Sequence, residues 1–366
     1  MTEAPIDRLD IRVYTVPTEE PEADGTMTWE ATTVVVAEPW VGTVRGLGFT
    51  YGSPACANLI TELLHGQVVG SDALDVGGTW ARMVAAVRNA GRPGVASAAI
   101  AAVDIGLWDL KARLLDLPLA RLLGMVRETV PVYGSGGFTS YTDGRLGAQL
   151  GGWVHDLGIP RVKMKIGTDW GTRPARDLDR MRVARDAIGS GPELFVDANG
   201  AFSAKQAVRL ARAAGGLGVT WFEEPVSSDD LPGLAEVRGL IEADVAAGEY
   251  GYDLTYFQRM CAAGAVDVLQ ADASRCAGIT DWLRAAAVAA AHGLEISGHC
   301  AQSLHAHPAC AVPNLRHLEY FHDHARVDRL LFDGVLTPAG GELRPDLSRP
   351  GIGLELKEAD ADRWRP

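Results

Sequence analysis

From Val130 onward, short apolar runs alternate with longer amphipathic stretches, and this alternation restricts the fold more than any other feature of the chain. The apolar runs have the length of buried strands, and the stretches between them have helical periodicity. The runs are VPVYGSG, RVKMKIG, ELFVDANG, VTWFEEP, DVAAGEY, VDVLQAD, LEISGH and RHLEYF. Eight strands that alternate with helices predict a closed parallel barrel of the α/β class.

The chain before Val130 has a different order of elements. Residues 11–16, 31–38 and 44–52 resemble strands, a polar loop is expected at residues 18–26, and residues 94–115 form a long helical pattern. Strands followed by a helix predict an α+β unit. We expect this domain to span residues 1–127 and the barrel residues 128–332. The Gly- and Pro-rich segment 333–366 is expected to return to the first domain.

Composition and charge exclude several classes of protein. The formal net charge of −13 argues against a nucleic-acid partner, which would require a basic face. The longest apolar stretch, residues 285–291, is too short to span a membrane. The five cysteines form no CxxC pair and the N-terminus shows no signal peptide, so we expect reduced thiols and a cytoplasmic location.

Each of the last seven runs ends in side chains that can bind a metal, carry charge or move a proton. The active site of such a barrel lies at the carboxyl ends of its strands, so these side chains should meet there. In strand order they are Lys163 with Lys165, Asp197, Glu223, Glu249, Asp272, His299 and Glu319. Seven successive coincidences are far less expected than one, so the pattern predicts a catalytic centre.

Asp197, Glu223 and Glu249 follow one another at intervals of 26 residues, about one strand–helix unit each. Three carboxylates at neighbouring strand ends would repel one another strongly unless a cation neutralised them. Ligation by oxygen alone, without thiol or imidazole, favours Mg²⁺ over Zn²⁺. The sequence therefore predicts a Mg²⁺ site.

Lys163 and Lys165 lie two residues apart on one predicted strand and should point the same way, into the barrel mouth. Two ammonium groups so close are expected to depress each other's pKa. A lysine near neutrality can act as a general base, while its neighbour stays charged and holds a substrate carboxylate.

His299 directly follows the strand LEISG, and Asp272 ends the strand before it. A carboxylate bonded to one ring nitrogen fixes the tautomer and raises the basicity of the other nitrogen, so the two residues are interpreted as a dyad. Seven of the nine histidines lie between positions 292 and 324. Four of these are interpreted as structural: His305, His307, His322 and His324.

These residues carry a resemblance to the enolase superfamily, mandelate racemase subgroup, over nearly the whole chain. The matching motifs are KMK, DANG, FEEP, GE, the Asp of QAD, GH, the Glu of LEYF, and the passage GLWDLKARLLDLPLARLLG around Trp108. The resemblance implies a (β/α)7β-type barrel with an N-terminal α+β capping domain that is completed by the C-terminal tail. It also implies that this enzyme forms homo-oligomers, as relatives commonly do.

The resemblance also implies roles for the site residues. Asp197, Glu223 and Glu249 would hold Mg²⁺, with Lys165 as the base on one face of the substrate and Lys163 as its electrostatic partner. His299, oriented by Asp272, would be the acid or base on the other face. Glu319 would hydrogen-bond the substrate carboxylate or its enolate, and Asn199, two residues after Asp197, is a weaker candidate for substrate contact.

Relatives that resemble muconate cycloisomerases and dipeptide epimerases carry a lysine near the end of strand six. This chain has Arg275 as the only cation in VLQADASRCAGI, and an arginine cannot serve as a base at ordinary pH. The resemblance therefore implies a Mg²⁺-dependent dehydratase of a sugar acid, with a racemase or epimerase that uses the same enolate as the alternative. Substrate choice is expected to come from residues 17–27 and 49–53.

Two rivals from other classes are weaker. A metal-dependent barrel hydrolase would need histidines at the end of strand one, and VPVYGSGGF has none. A barrel that had lost its activity and served as a binding module would be expected to lack Lys165 or His299, and both are present.

Overall fold

The computed structural model describes residues 3–366. Within that range eight parallel strands, β5 to β12, pair in chain order, and β12 pairs with β5 to close a barrel. The barrel strands are β5 (Val130–Gly136), β6 (Arg161–Lys165), β7 (Glu193–Asp197), β8 (Val219–Glu223), β9 (Asp244–Ala247), β10 (Val268–Ala271), β11 (Glu295–Gly298) and β12 (Leu315–Phe321). The predicted closed barrel is thus confirmed.

Helices cover the outside of the barrel. Between consecutive strands lie α6 (Asp143–His155), α7 (Thr168–Gly171) with α8 (Pro174–Ile188), α9 (Ala204–Ala213) with a 3-10 turn (Gly215–Leu217), α10 (Leu231–Arg238), α11 (Leu254–Ala262), α12 (Ile279–Ala291) and α13 (Gln302–Ala311). After β12 the chain continues into α14 (His322–Leu331). None of the helices in residues 3–366 is long and apolar enough to cross a membrane.

The N-terminal part is an antiparallel sheet with helices packed on it. Its strands are β1 (Arg8–Ala23), β2 (Thr28–Val41), β3 (Val44–Arg45) and β4 (Gly48–Tyr51). Its helices are α1 (Ala55–Leu59), a π-helical turn (Ile60–Leu64), α2 (His65–Val68), α3 (Val76–Ala86), α4 (Val95–Leu114) and α5 (Leu119–Leu123). We call the part up to α5 the capping domain.

Two details of the capping domain differ from the sequence-based expectation. The polar segment predicted as a loop at residues 18–26 is mostly strand, because β1 resumes its pairing with β2 after a bulge between Pro17 and Glu22. The third strand is split, and β3 and β4 both pair with β2. Residues 49–51 are therefore strand rather than loop, and their part in substrate choice stays a prediction.

The long helix α4 lies against the sheet at glycine positions. A Cβ atom at Gly48 would lie 2.0 Å from the carbonyl oxygen of Ala102, so no larger residue fits there without backbone movement. Val95–Leu114 is buried over most of its circumference, in agreement with its apolar residues on several faces.

The C-terminal segment contacts the capping domain, as expected. It contains β13 (Phe332–Asp333), β14 (Glu342–Leu343), β15 (Glu355–Leu356), α15 (Glu358–Ala361) and a 3-10 turn (Asp362–Trp364). Arg113 of α4 forms an ion pair with Glu355 at 2.5 Å, and Arg45 forms one with Glu358 at 2.5 Å. The boundaries at residues 127 and 332 stay predictions.

Candidate active site

The predicted site residues come together at the carboxyl ends of the barrel strands. Lys165, Asp197 and Glu223 are the last residues of β6, β7 and β8, and the strand register places them side by side. Asp272 and His299 directly follow β10 and β11, and Glu249 lies two residues beyond β9. Glu319, in contrast, lies inside β12.

The expectation that β12 ends at Glu319 is therefore wrong. The strand continues to Phe321 because Tyr320 and Phe321 pair with Gly134 and Ser135 of β5 as the barrel closes. Glu319 still faces the site, since one of its carboxylate oxygens lies 2.8 Å from Nζ of Lys163.

Asp197, Glu223 and Glu249 form a buried carboxylate cluster. One oxygen from each lies within 4.8 Å of the others. Burial, partly offset by Lys163, raises the pKa of Glu223 well above its ordinary value, and the neighbouring Asp197 carboxylate adds to this. Oε2 of Glu249 has no hydrogen-bond partner among the described residues. Converging oxygens with an unpartnered lone pair fit a hard divalent cation.

Lys163 lies beneath this cluster and connects it to Glu319. Its ammonium group is fully buried, forms an ion pair with Glu223, and lies 3.5 Å from Asp197. Lys165 lies at the edge of the cluster, where its Nζ is 2.5 Å from Oδ2 of Asp197. Both side chains point into the barrel mouth, as their spacing predicted.

The mutual depression of the lysine pKa values is present, since Lys163 lowers the pKa of Lys165, but the carboxylates of the site outweigh it and the net pKa of each lysine is raised. Burial lowers the pKa of Lys165 and Lys163 lowers it further, but the carboxylates of Asp197, Glu249 and Glu223 together outweigh both effects and the net pKa is raised. Burial also acts on Lys163, yet Glu223 and Glu319 raise its pKa well above the usual range. The sequence shows that each lysine has a second ammonium group nearby, but it does not show how close the carboxylates lie.

His299 and Asp272 form the predicted dyad. Nδ1 of His299 lies 2.8 Å from Oδ2 of Asp272, and Oδ1 of Asp272 accepts hydrogen bonds from the backbone and hydroxyl of Ser274, both at 2.7 Å. Burial favours the neutral acid, but His299 and Arg275 together hold the pKa of Asp272 well below its ordinary value. The ionised carboxylate therefore faces the ring, and Nε2 is directed into the site.

Two family models match most of the chain. One, "Mandelate racemase / muconate lactonizing enzyme, N-terminal domain", covers residues 10–124, and the other, "Enolase C-terminal domain-like", covers residues 145–360. This chain belongs to the mandelate racemase subgroup of the enolase superfamily. It is an enzyme of that family.

Three similar proteins illustrate the range of the subgroup. A mandelate racemase/muconate lactonizing enzyme-like protein of Rubrobacter xylanophilus has a solved structure that is 52% identical, covers 99% of this chain and 100% of its own, and superposes with a TM-score of 0.95. The 3,6-anhydro-alpha-L-galactonate cycloisomerase of Streptomyces coelicolor is 32% identical over 96% of this chain and 97% of its own length.

The third is the L-talarate/galactarate dehydratase of Salmonella typhimurium, which is 31% identical over 87% of this chain and 79% of its own. Its crystal structure with Mg and L-lyxarohydroxamate has a TM-score of 0.90 and 28% identity, covering 100% of this chain and 94% of that one.

Asn199 lies just beyond β7 in a left-handed backbone conformation, with φ of 45°. Its backbone N–H donates to Oδ1 of Asp197 at 2.9 Å, while its own Oδ1 has no partner among the described residues. The side chain lines a cavity of about 550 Å³ that also borders Thr26 of the capping domain and Glu224. These contacts are compatible with substrate contact, which stays a prediction.

Sequence reasoning missed several residues of this site. Ser135 donates to Oε1 of Glu319 at 2.5 Å, Arg275 lies 3.2 Å from Oε1 of Glu249, and the Sγ atom of Cys300 lies 3.3 Å from Nε2 of His299. Ser135 lies near the carboxyl end of β5, and Cys300 directly follows His299. Their positions in the sequence could therefore have identified both as residues of the site. The sequence identifies Arg275 only as a cation that cannot serve as a base.

The four histidines interpreted as structural contact backbone groups, an aromatic ring or a surface carboxylate. Nε2 of His305 accepts a hydrogen bond from the backbone of Ala273 at 2.9 Å, and Nδ1 of His307 accepts one from Ala120 at 3.3 Å. His324 stacks on Tyr51, with ring centroids 3.5 Å apart, and His322 lies 3.8 Å from a carboxylate oxygen of Glu19.

Proposed function

We propose that this enzyme binds Mg²⁺, removes the proton next to a carboxylate, and eliminates water from a sugar acid to give a 2-keto-3-deoxy acid. The arrangement of two proton-transfer groups around one carboxylate cluster carries the proposal. Lys165 contacts the cluster at Asp197, whereas Nε2 of His299 lies 3.3 Å from Oε2 of Glu249 at its other end. A substrate carboxylate at the cluster would have one of these groups on each side.

Asp197, Glu223 and Glu249 would hold the Mg²⁺ ion, because they offer hard oxygen donors without thiol or imidazole. The dehydratase from Salmonella typhimurium was crystallised with Mg. When bound, the ion supplies positive charge that stabilises the enolate form of a substrate carboxylate.

Lys163 and Glu319 are suited to hold the reacting carboxylate. Lys163 supplies a buried positive charge, 2.8 Å from Glu319. The pKa of Glu319 is held well below its ordinary value because Lys163 and His299 outweigh the effect of burial. An anionic substrate next to it would raise that pKa, so that Glu319 can take up a proton and donate a hydrogen bond to the enolate.

The elimination breaks the C–H bond next to the carboxylate and the C–O bond on the following carbon. The configuration of the substrate determines whether Lys165 or His299 lies on the face of the departing proton. His299 delivers a proton from Nε2 to the departing hydroxyl, which leaves as water, and the enol that remains becomes the 2-keto acid. Asp272 keeps the ring oriented for this transfer through the 2.8 Å contact at Nδ1.

A cycloisomerase is the second candidate, since the Streptomyces coelicolor relative matches 96% of this chain. A 3,6-anhydro sugar acid carries an ether oxygen on the carbon where a dehydratase substrate carries a hydroxyl. The same enolate then expels the ether oxygen, which stays bonded to the other carbon of the ether. A racemase would share the enolate, but the relatives named above that have an assigned reaction are a dehydratase and a cycloisomerase.

A panel of sugar acids, incubated with the Mg²⁺-loaded enzyme and assayed for 2-keto acid, tests this proposal. We expect at least one sugar acid to yield keto acid, and the matched His299→Asn protein to form keto acid from it far more slowly. Inversion of the carbon next to the carboxylate, without keto acid, would instead identify a racemase. A homo-oligomeric state and a cytoplasmic location stay predictions.

A further inference from the structure

Cys300 places a thiol between two of the site residues. Its Sγ lies 3.3 Å from Nε2 of His299 and 3.3 Å from Oε2 of Glu319, and the nitrogen and oxygen are themselves 3.6 Å apart. All three residues are buried, with Cys300 3% exposed and His299 6% exposed. We call these three atoms the thiol site.

The dimensions of the thiol site are close to those of a tetrahedral zinc centre. Bonds of about 2.3 Å to sulfur, about 2.0 Å to imidazole nitrogen and about 2.1 Å to carboxylate oxygen place the ligand atoms roughly 3.3–3.6 Å apart at tetrahedral angles. For sulfur–nitrogen, sulfur–oxygen and nitrogen–oxygen these bonds give about 3.5, 3.6 and 3.3 Å. The protein has 3.3, 3.3 and 3.6 Å, so each separation is within about 0.3 Å of the tetrahedral one. One cation could therefore reach all three atoms with small movements of the side chains.

Each ligand is also held in place by a second contact. Asp272 bonds to the far ring nitrogen of His299 at 2.8 Å, an arrangement that orients imidazole ligands in zinc proteins. The other oxygen of Glu319 accepts a hydrogen bond from Ser135 at 2.5 Å and pairs with Lys163 at 2.8 Å. The backbone N–H of Cys300 donates to Oε2 of Glu319 at 3.0 Å, which fixes the ligand oxygen next to the thiol.

We propose that the thiol site, which borders the carboxylate cluster at Oε2 of Glu249, binds a thiophilic divalent cation such as Zn²⁺ or Cd²⁺ through its own three ligands. The thiol loses its proton to solvent, sulfur, nitrogen and oxygen each donate a lone pair, and a fourth position remains for water. Thiolate and imidazole select such cations, whereas the three carboxylates suit Mg²⁺. Occupancy ties up Nε2 of His299 and Oε2 of Glu319, so it inhibits the enzyme. This consequence rests on the proposed function.

Cd²⁺ titration of the Mg²⁺-loaded enzyme tests the site without any substrate. A cadmium–thiolate bond produces an ultraviolet charge-transfer band, which we expect at one equivalent per chain. Cys300→Ser should remove the band and weaken Cd²⁺ binding at least about tenfold. Cys310→Ser, which removes another buried thiol outside the site, is the matched control and should keep the band. Absence of a band in the wild-type protein would overturn the proposal.

Zn²⁺ inhibition then separates the two metal sites. With Mg²⁺ in large excess, we expect Zn²⁺ to inhibit the wild-type protein and a chelator followed by Mg²⁺ to restore it. Cys300→Ser, compared with its own uninhibited rate, should require at least about tenfold more Zn²⁺. Equal sensitivity of both proteins would locate the inhibition at the carboxylate cluster and overturn the proposal.

A second variant covers the case in which Cys300→Ser does not fold, and one further result separates the thiol site from the proposed function. If Cys300→Ser does not fold, as judged by circular dichroism, Cys300→Ala removes the same sulfur atom and serves in both experiments. A Cd²⁺–thiolate band without inhibition would support the thiol site and count against the roles proposed for His299 and Glu319.

Discussion

Nδ1 of His299 lies 2.8 Å from Oδ2 of Asp272, although the two residues follow different barrel strands and are 27 positions apart in the chain. The Asp272 carboxylate is ionised and also accepts two hydrogen bonds from Ser274, so it cannot rotate freely. The imidazole is thereby kept with Nδ1 towards Asp272 and Nε2 towards the carboxylate cluster.

Asp272→Asn should lower kcat by about 100-fold while changing KM much less, because the amide no longer fixes the ring tautomer. The acid itself remains in place, so the rate should not fall to that of His299→Asn. Steady-state kinetics on a sugar acid that wild type converts would measure this. A wild-type rate would show that Asp272 does not orient the catalytic ring.

His299→Asn should lower keto-acid formation by about 10⁴-fold, since an amide can form a hydrogen bond but cannot deliver a proton. In D₂O, recovered substrate should still exchange the proton next to the carboxylate if Lys165 takes it. In the wild-type reaction, keto acid should be the main product and the remaining substrate should keep its configuration. Unimpaired turnover by His299→Asn would exclude the dyad from the reaction.

Lys165→Met and Lys163→Met should impair different steps of the reaction. Lys165 lies 6% exposed at the edge of the site, and its loss should abolish hydrogen exchange on its face of the substrate, with a fall in rate of about 100-fold or more. Lys163 pairs with Glu319 in the fully buried part of the active site, and the loss of Lys163 should also weaken substrate binding. Lys205→Met, at an exposed position, is the control. Full activity of Lys165→Met would refute its assigned role.

Chelation of divalent cations should abolish turnover, and Mg²⁺ should restore it, because the oxygens of Asp197, Glu223 and Glu249 converge within 4.8 Å. Glu249→Gln should weaken Mg²⁺ binding, measured by calorimetry, since it removes one negative ligand. Glu236→Gln, an exposed acid on α10, should leave it unchanged. Full turnover by a metal-stripped sample would contradict the Mg²⁺ assignment.

Asp104 should make stability depend on pH. It is fully buried on α4 and accepts a hydrogen bond from the Thr280 hydroxyl at 2.6 Å, and burial raises its pKa to about 7 from 3.8. Because the folded pKa is the higher one, its contribution to stability is complete below the unfolded pKa and is lost as pH rises towards 7. Between pH 5 and 7 the loss is about 1.4 kcal/mol per pH unit.

Asp104→Asn should remove this part of the pH dependence. Urea unfolding at pH 5, 6 and 7 would give the difference in free energy of unfolding between the two proteins. Asp186→Asn, at an exposed position on α8, is the control and should follow wild type. A constant difference between wild type and Asp104→Asn across this range would contradict the prediction.

The sequence by itself determined the barrel and the identity of the side chains at its mouth. Both follow from local patterns: the alternation of strand and helix, and the rule that parallel strands present their carboxyl ends at one edge. Lys165, Asp197 and Glu223 therefore lie at the strand ends where the sequence predicts them, and the family motifs imply their roles. The 94–115 helical pattern likewise agrees with Val95–Leu114.

Only the tertiary structure decided how these side chains contact one another. The pairing of β12 with β5 brings Ser135 to Glu319, a contact between residues 184 positions apart. Cys300 has a left-handed backbone, with φ of 50°, at the turn where its thiol lies between His299 and Glu319. The pKa values of the lysines depend on the same closure, because electrostatic energy is set by burial and by distances across the barrel rather than by separation along the chain.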